Sequence, residues 1–392
     1  MKNLNTTSLL ENYAAFAEPA IRNRFYKHAD LEKLIAHLPA SFKTSIAGYS
    51  AEHRSLNLIT WGDGPVKVFL WSQMHGDEAT GTMALFDLIN FLSLDIYTEQ
   101  IELLRKRCSL YIMPMVNPDG AERFTRRNAQ QIDINRDFVK VVAPETQALK
   151  KIHAAIKPDF GFNLHDQNTL WSVCGTNKPA TLSYLAPAYD KQLSTNSIRK
   201  NAMLVIAEMF KVLNPLLPGQ IGLFDDEYEE RAFGDNFQMA GTSTILIEAG
   251  GFRNDEEKQE IRKYYFLSIL AGLDAIATAE YQEFSLKDYI NIPKNDKKIF
   301  HILIHGIILE GISVSIGLNY EETPAQDGSA TLKTYSIQDI GDLDKLYAYD
   351  VYQSDEWTVI GTIKFNENAN FDLLDSKKTI LSFKNGILAS KL

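Results

Sequence analysis

The chain has 392 residues, 45% of them hydrophobic and 11% aromatic, and a formal net charge of −10. That length exceeds one ordinary core and predicts a large domain with a smaller companion, while the apolar fraction argues against disorder. The negative balance repels a phosphate backbone, and the basic clusters at Arg105–Arg107 and Arg126–Arg127 are too short to reverse it, so nucleic acid is not the expected partner.

The first 25 residues lack an apolar core flanked by a small-residue cleavage site, and no run of about eighteen apolar residues occurs anywhere. The expectation is a cytoplasmic protein without a membrane span. Two cysteines, Cys108 and Cys174, cannot form a disulfide framework and are expected to be reduced packing residues.

Residues 8–38 carry apolar positions at spacings of three and four and predict helix. Four near-continuously apolar runs follow, at 66–72, 109–116, 160–165 and 243–250, the pattern of strands buried on both faces. Between and after them lie helix-length amphipathic segments at 81–94, 144–156, 197–213 and 258–279. Strands alternating with helices predict an α/β sheet covered on both sides. Around residues 284–298 the texture turns polar and carries a proline, and beyond it come short β-rich runs separated by polar turns. The expected organisation is a catalytic-type domain over 1–288 and a small all-β domain over 298–392.

Each of the four apolar runs ends in polar residues of catalytic type, and open α/β sheets bind ligands at the carboxyl ends of their strands. The first is followed by His75 and Glu78 in HGDE, the second by NPDG and then RRNAQQIDINRDF, the third ends at His165, and the fourth carries Glu248. If His75 and Glu78 lie on a first helical turn, their i, i+3 spacing puts them on one side. With His165 they would offer two imidazoles and one carboxylate, a set that catalytic zinc takes while leaving a position for water. Glu248 stands out because a carboxylate after Ile-Leu-Ile is costly to bury ionised without a metal, a cation or a cleft beside it. A structural salt bridge to Arg136 or Arg126 is the bland alternative.

The ordered set HGDE, NPDG, RRNAQQIDINR, NLHD and ILIEAGG resembles the zinc carboxypeptidase family typified by the pancreatic carboxypeptidases. The resemblance implies a mixed sheet sandwiched between helices, with His75, Glu78 and His165 as ligands of Zn2+. It also implies Asn135 and Arg136 as the grip on a substrate's terminal carboxylate, which suits a guanidinium fork. Arg126 would polarise the scissile carbonyl, with Arg127 as alternative because the doubled arginine blurs the register. Asp133 would accept a hydrogen bond from a ligand histidine and fix its tautomer. Glu248 would be the general base. The family's substrate-capping tyrosine has Tyr228 as its candidate here, with Arg231 as another loop candidate. Asp137 departs from the asparagine that better-known members carry after the arginine, which bears on the preferred terminal residue. The remaining histidines, His28, His37, His53, His153, His301 and His305, fall outside the motifs and are expected in the core or on the surface.

The expected function is that of a zinc metallocarboxypeptidase acting on peptides with a free carboxylate. An N-acyl amino acid deacylase of the aspartoacylase or succinylglutamate desuccinylase kind shares the same motif plan, and a non-catalytic zinc-containing binding module is the reading from another class. The β-rich tail resembles no family by motif.

Overall fold

The computed structural model describes residues 4–391, and the chain divides into two compact units. The first comprises the residues up to Thr169 together with Ala180–Asn295; the second comprises Leu170–Pro179 and Asp296–Leu392.

The first unit is built on an eight-stranded mixed sheet: β1 (Lys43–Tyr49), β2 (Ser55–Trp61), β3 (Val66–Ser72), β4 (Cys108–Met113), β5 (Phe160–Asp166), β6 (Leu182–Leu185), β7 (Ile221–Leu223) and β8 (Ser243–Ala249). Their spatial order is β1-β2-β4-β3-β5-β8-β6-β7. The four central strands β4, β3, β5 and β8 run parallel, so their carboxyl ends open on one edge. Antiparallel pairings flank them, β2 on β4 and β6 on β8.

Alternation along the central strands decides which side chains meet which helices. In β3, Val68 and Leu70 join one core with the helices Thr80–Phe91 (α3), Ser197–Leu213 (α7) and Gln259–Thr278 (α9). Phe69 and Trp71 point the other way, into a core with Ala148 and Leu149 of helix Pro144–Ile156 (α6) and Phe233 and Phe237 of helix Phe233–Met239 (α8). In β5 and β8 the first core takes Phe162, Leu164, Ile245 and Ile247. Asn163, His165, Leu246 and Glu248 therefore lie on the opposite face, the one that carries the site.

The segment 8–38 is not one helix. It holds two short helices, Thr6–Glu11 and His28–Ala36, with one 3-10 turn at Tyr13–Ala15 and otherwise irregular chain between. That chain is anchored from outside: Asp87 of α3 accepts from the Glu18 backbone N–H at 2.7 Å, and Arg262 of α9 donates to Ile21 O at 2.6 Å. Satisfying the buried Arg262–Asp87 pair outweighs local periodicity. Of the cysteines, Cys108 is buried and packs as expected, whereas Cys174 is free and exposed, so its packing role is corrected.

The second unit is a two-sheet sandwich. One sheet holds Ile299–Leu309, Ile312–Pro324, Thr331–Gly341 and Tyr347–Gln353, and the other Thr358–Thr362, Asn370–Asp375, Lys378–Lys384 and Ile387–Lys391. Ile304, Ile316 and Ile337 from the first sheet pack with Phe371, Leu381 and Phe383 from the second. Among the described residues no helix is long and apolar enough to cross a membrane.

Candidate active site

The site begins where β3 stops. Gln73 adopts a left-handed φ of 51°, and the chain turns through Gly76 before α3 starts at Thr80. A side chain at Gly76 would place its Cβ 2.0 Å from the Gly120 backbone, so glycine is required there for the turn to lie against helix Pro118–Arg123 (α5). His75 and Glu78 are thus on a tight turn, closed by Glu78 N–H donating to His75 O at 3.2 Å, and not on the helical turn expected from their spacing. The turn brings them together equally well.

Ligand atoms of His75, Glu78 and His165 all lie within 4.8 Å of one another, and all three residues are buried. Glu78 sits between the imidazoles, with Oε1 2.6 Å from His75 Nδ1 and Oε2 2.7 Å from His165 Nδ1. On its other edge, His75 Nε2 lies 3.2 Å from Asp133 Oδ1. If Asp133 accepts the Nε2 proton, the Nδ1 lone pair faces a carboxylate oxygen, an arrangement that needs a positive charge between them.

The electrostatics point the same way. Burial alone would lower His75, but Glu78 and Asp133 outweigh it and push it up to about 9. Burial would raise Glu78, but the two imidazoles hold it well below the usual carboxylate range. Burial keeps His165 below its ordinary value. Burial opposes the ionised form of Asp133 as well, but His75 and Arg126 hold its pKa low.

Glu248 stands opposite His165 in the β5–β8 register and is 7% exposed. Its Oε2 is buried without a hydrogen-bond partner, as is His165 Nε2. Burial, then the charges of Glu78 and Asp166, push Glu248 well above the usual carboxylate range. Among the described residues Glu248 has no salt bridge to Arg126 or Arg136, so the bland alternative is not what the fold uses. A bound cation would relieve this surplus of buried negative charge, and two imidazoles with one carboxylate suit zinc.

The loop after α5 supplies the rest. Arg126 reaches the site: Nε lies 3.0 Å from Asp133 Oδ2 and Nη1 3.3 Å from Glu78 Oε1. Arg127 does not, since its guanidinium donates to Gln131 O within its own loop. Asn135 is buried, and its Oδ1 accepts from the Phe233 N–H at 2.9 Å, leaving the amide NH2 as the end that can donate. Arg136 is half-exposed, with Nε 3.2 Å from Glu229 Oε2. Tyr228 is partly buried on the same loop as Glu229, where burial, then the acidic groups Asp235, Glu230 and Asp190, raise its pKa. Arg231 is paired with Glu229 at 2.7 Å. Asp137 turns inward and accepts from the Val142 and Ala143 N–H groups at 2.9 Å each, so its carboxylate shapes the loop into α6.

Sequence reasoning missed Asp77, whose buried Oδ1 has no partner and which burial, with Glu78, pushes up to about 6. It stood inside HGDE, and an acid of the same motif was already assigned to the metal. Lys258 was also missed.

Residues 28–211 match the family model described as zinc carboxypeptidase. That stretch, a little under half of the chain, is similar to the zinc carboxypeptidase family. The matched stretch holds His75, Glu78, Asp133, Asn135, Arg136 and His165, and it ends before Glu248. Carboxypeptidase 2 of Trichophyton tonsurans is 27% identical over 101 residues, 26% of this chain and 18% of that relative, so the chain spans less than a fifth of its length. Carboxypeptidase D of Mus musculus is 28% identical over 117 residues, 26% of this chain and 8% of that protein. Among solved structures, the metallo-carboxypeptidase from Burkholderia cenocepacia superposes with a TM-score of 0.52 at 20% identity, covering 65% of this chain and 68% of the other. Carboxypeptidase A from Helicoverpa armigera gives 0.52 at 16% identity, covering 70% and 82%. At these identities the likeness is one of fold, and the fold is that of a zinc carboxypeptidase.

Proposed function

We propose that the protein is a zinc-dependent metallocarboxypeptidase that hydrolyses the C-terminal peptide bond of peptides. The observation that carries this reading is the convergence of His75, Glu78 and His165 ligand atoms within 4.8 Å, beside a buried Glu248 on the neighbouring strand. His75 Nδ1, His165 Nδ1 and a Glu78 oxygen would hold the zinc, which when bound lowers the pKa of water and polarises a carbonyl.

The chain's own groups do the rest. Glu248 takes a proton at its carboxylate and returns it to the leaving amine. Asn135 Nδ2 and the Arg136 guanidinium bind the substrate's terminal carboxylate, Arg136 by charge and both by directed donors. Arg126, half-exposed and within reach of Glu78, donates to the oxygen on which negative charge develops. Asp133 holds the Nε2 proton of His75 and with it the orientation of the ring.

The test is mass-spectrometric. Zinc-loaded protein and a Glu248→Gln variant are incubated with a mixed library of peptides and acyl amino acids. Loss of single residues from C-termini, absent with the variant, is the expected result. Cleavage confined to acyl amino acids would replace this reading with the deacylase, and intact substrates despite bound zinc would leave a binding module.

A further inference from the structure

A group outside the proposed chemistry holds the carboxyl ends of β5 and β8 together. Lys258 is 6% exposed, and its ammonium lies 3.1 Å from Asp166 Oδ2 and 3.1 Å from Ala249 O. Asp166 directly follows His165, and Ala249 directly follows Glu248; the two pairs face each other in the sheet register. The Asp166 oxygen that meets Lys258 also accepts from Thr80 Oγ1 at 2.7 Å, while the Asp166 N–H donates to Glu78 Oε2 at 3.2 Å. One ammonium therefore ties together the segments that deliver Glu78, His165 and Glu248. It comes from the start of α9, 92 residues along the chain from Asp166.

Stability does not explain this arrangement. A buried ion pair carries a desolvation cost that two apolar side chains of similar volume would avoid. Lys258 also holds a left-handed φ of 53°, a conformation that L residues with a side chain disfavour. What the pair supplies is geometry: charged hydrogen bonds have a fixed length and direction, and these act on the backbone and side chain one residue beyond each functional group. Reacting groups need such second supports, because displacement by a fraction of an ångström is costly in rate.

We propose that Lys258 is a positioning residue of this site, its ammonium locking the strand ends His165–Asp166 and Glu248–Ala249 so that the base and the ligand imidazole keep a fixed separation. The inference rests on the reading of Glu248 as base and His165 as ligand.

Three full-length variants test it: Lys258→Met, which keeps the length and removes the charge; Lys258→Arg, which keeps the charge; and Asp166→Asn, which breaks the pair from the other side. The first readout needs no activity. Amide hydrogen exchange is followed in metal-free protein at Asp166, whose N–H donates to Glu78, and at Gln167, whose N–H donates to Ala249 O at 2.9 Å. Exchange there should be about tenfold faster or more in Lys258→Met and Asp166→Asn, and close to wild type in Lys258→Arg. The second readout is hydrolysis by the zinc-loaded proteins, where kcat should fall about tenfold or more with KM within about twofold, and recover in Lys258→Arg. Wild-type exchange at both amides in Lys258→Met, or a change in KM with kcat intact, overturns the proposal. If wild type hydrolyses nothing while the exchange pattern appears, the carboxypeptidase reading fails and the bracing by Lys258 stands. Should Lys258→Met not fold, Asp166→Asn and Lys258→Arg carry the same comparison.

Discussion

Glu229 Oε2 lies 3.2 Å from Arg136 Nε, so the guanidinium proposed to hold a substrate carboxylate already faces a carboxylate of its own chain. Glu229 is also gripped by Arg231, at 2.8 and 2.7 Å, and Arg231 first and Arg136 after it hold its pKa below the usual range. A substrate must therefore compete for Arg136. The pair is partly solvent-screened, so its net strength is about 0–1 kcal/mol, which corresponds to at most about a fivefold change in affinity. Glu229→Gln is expected to lower KM for peptides about two- to fivefold while kcat stays within about twofold. Steady-state kinetics decide; a raised KM would mean that Glu229 shapes the carboxylate grip instead of competing with it.

Glu248→Gln is nearly isosteric and removes the group that would accept a proton. General-base loss typically costs about 10²–10⁴ in rate. Zinc content should be unchanged, because the three ligand atoms do not include Glu248. Hydrolysis and metal stoichiometry measured on the same preparation separate the roles, and full activity in the variant would sink the assignment of the base.

Metal binding should also appear as stability. His75 and His165 each meet an oxygen of Glu78 in a buried cluster, and Glu248 opposite His165 adds a further carboxylate that a cation would compensate. A ligand at a hundred times its dissociation constant stabilises by about 2.7 kcal/mol, and in a unit of this size that raises Tm by about 4–5 °C. Chelator-treated wild type should gain this shift on adding zinc, and His75→Ala should not. An equal zinc-dependent shift in both proteins would place the metal elsewhere.

Much of this was readable because the central strands impose two independent constraints on the same residues. A run such as 66–72 must be apolar on both faces, so its edges are sharp, and β3 begins and ends where the run does. Helix α6 starts at Pro144 and α7 follows the capping Asn196, whose side chain accepts from the Arg199 N–H; both helices span the residues their patterns mark. The short strands β6 and β7, of 4 and 3 residues, hold too few positions to show a period. The residues 8–38 mislead because their partners, Asp87 and Arg262, arrive from distant helices. At the site, motif residues clustered within a few positions were legible, whereas Lys258 was not: its meaning lies in a contact that only the folded chain makes. Between Arg126, the first choice from the motif, and its alternative Arg127, the doubled arginine left the register blurred, and the two are separated by what each guanidinium touches.

His153 offers a test of the fold away from the site. Its ring stacks on Phe237 at a centroid distance of 3.6 Å, and Nε2 lies 2.8 Å from Thr242 Oγ1, which in turn donates to Pro158 O at 3.0 Å. With the hydroxyl proton committed to Pro158, Nε2 must be the donor to Thr242, and burial lowers the pKa of His153 from 6.5 to about 4. The folded value is below the unfolded one, so between them the unfolded chain binds more protons and stability rises with pH. The contribution is fully present above about pH 6.5 and is lost as the pH falls through about 4, amounting to about 3 kcal/mol over that window. His153→Gln keeps a donor for Thr242 but does not titrate. Its Tm is expected to start below wild type at pH 7.5, because the stacking is lost, and to approach wild type as the pH is lowered toward 4. Parallel Tm curves across that range, or an NMR titration placing His153 near 6.5, would show that the ring is not held neutral by burial.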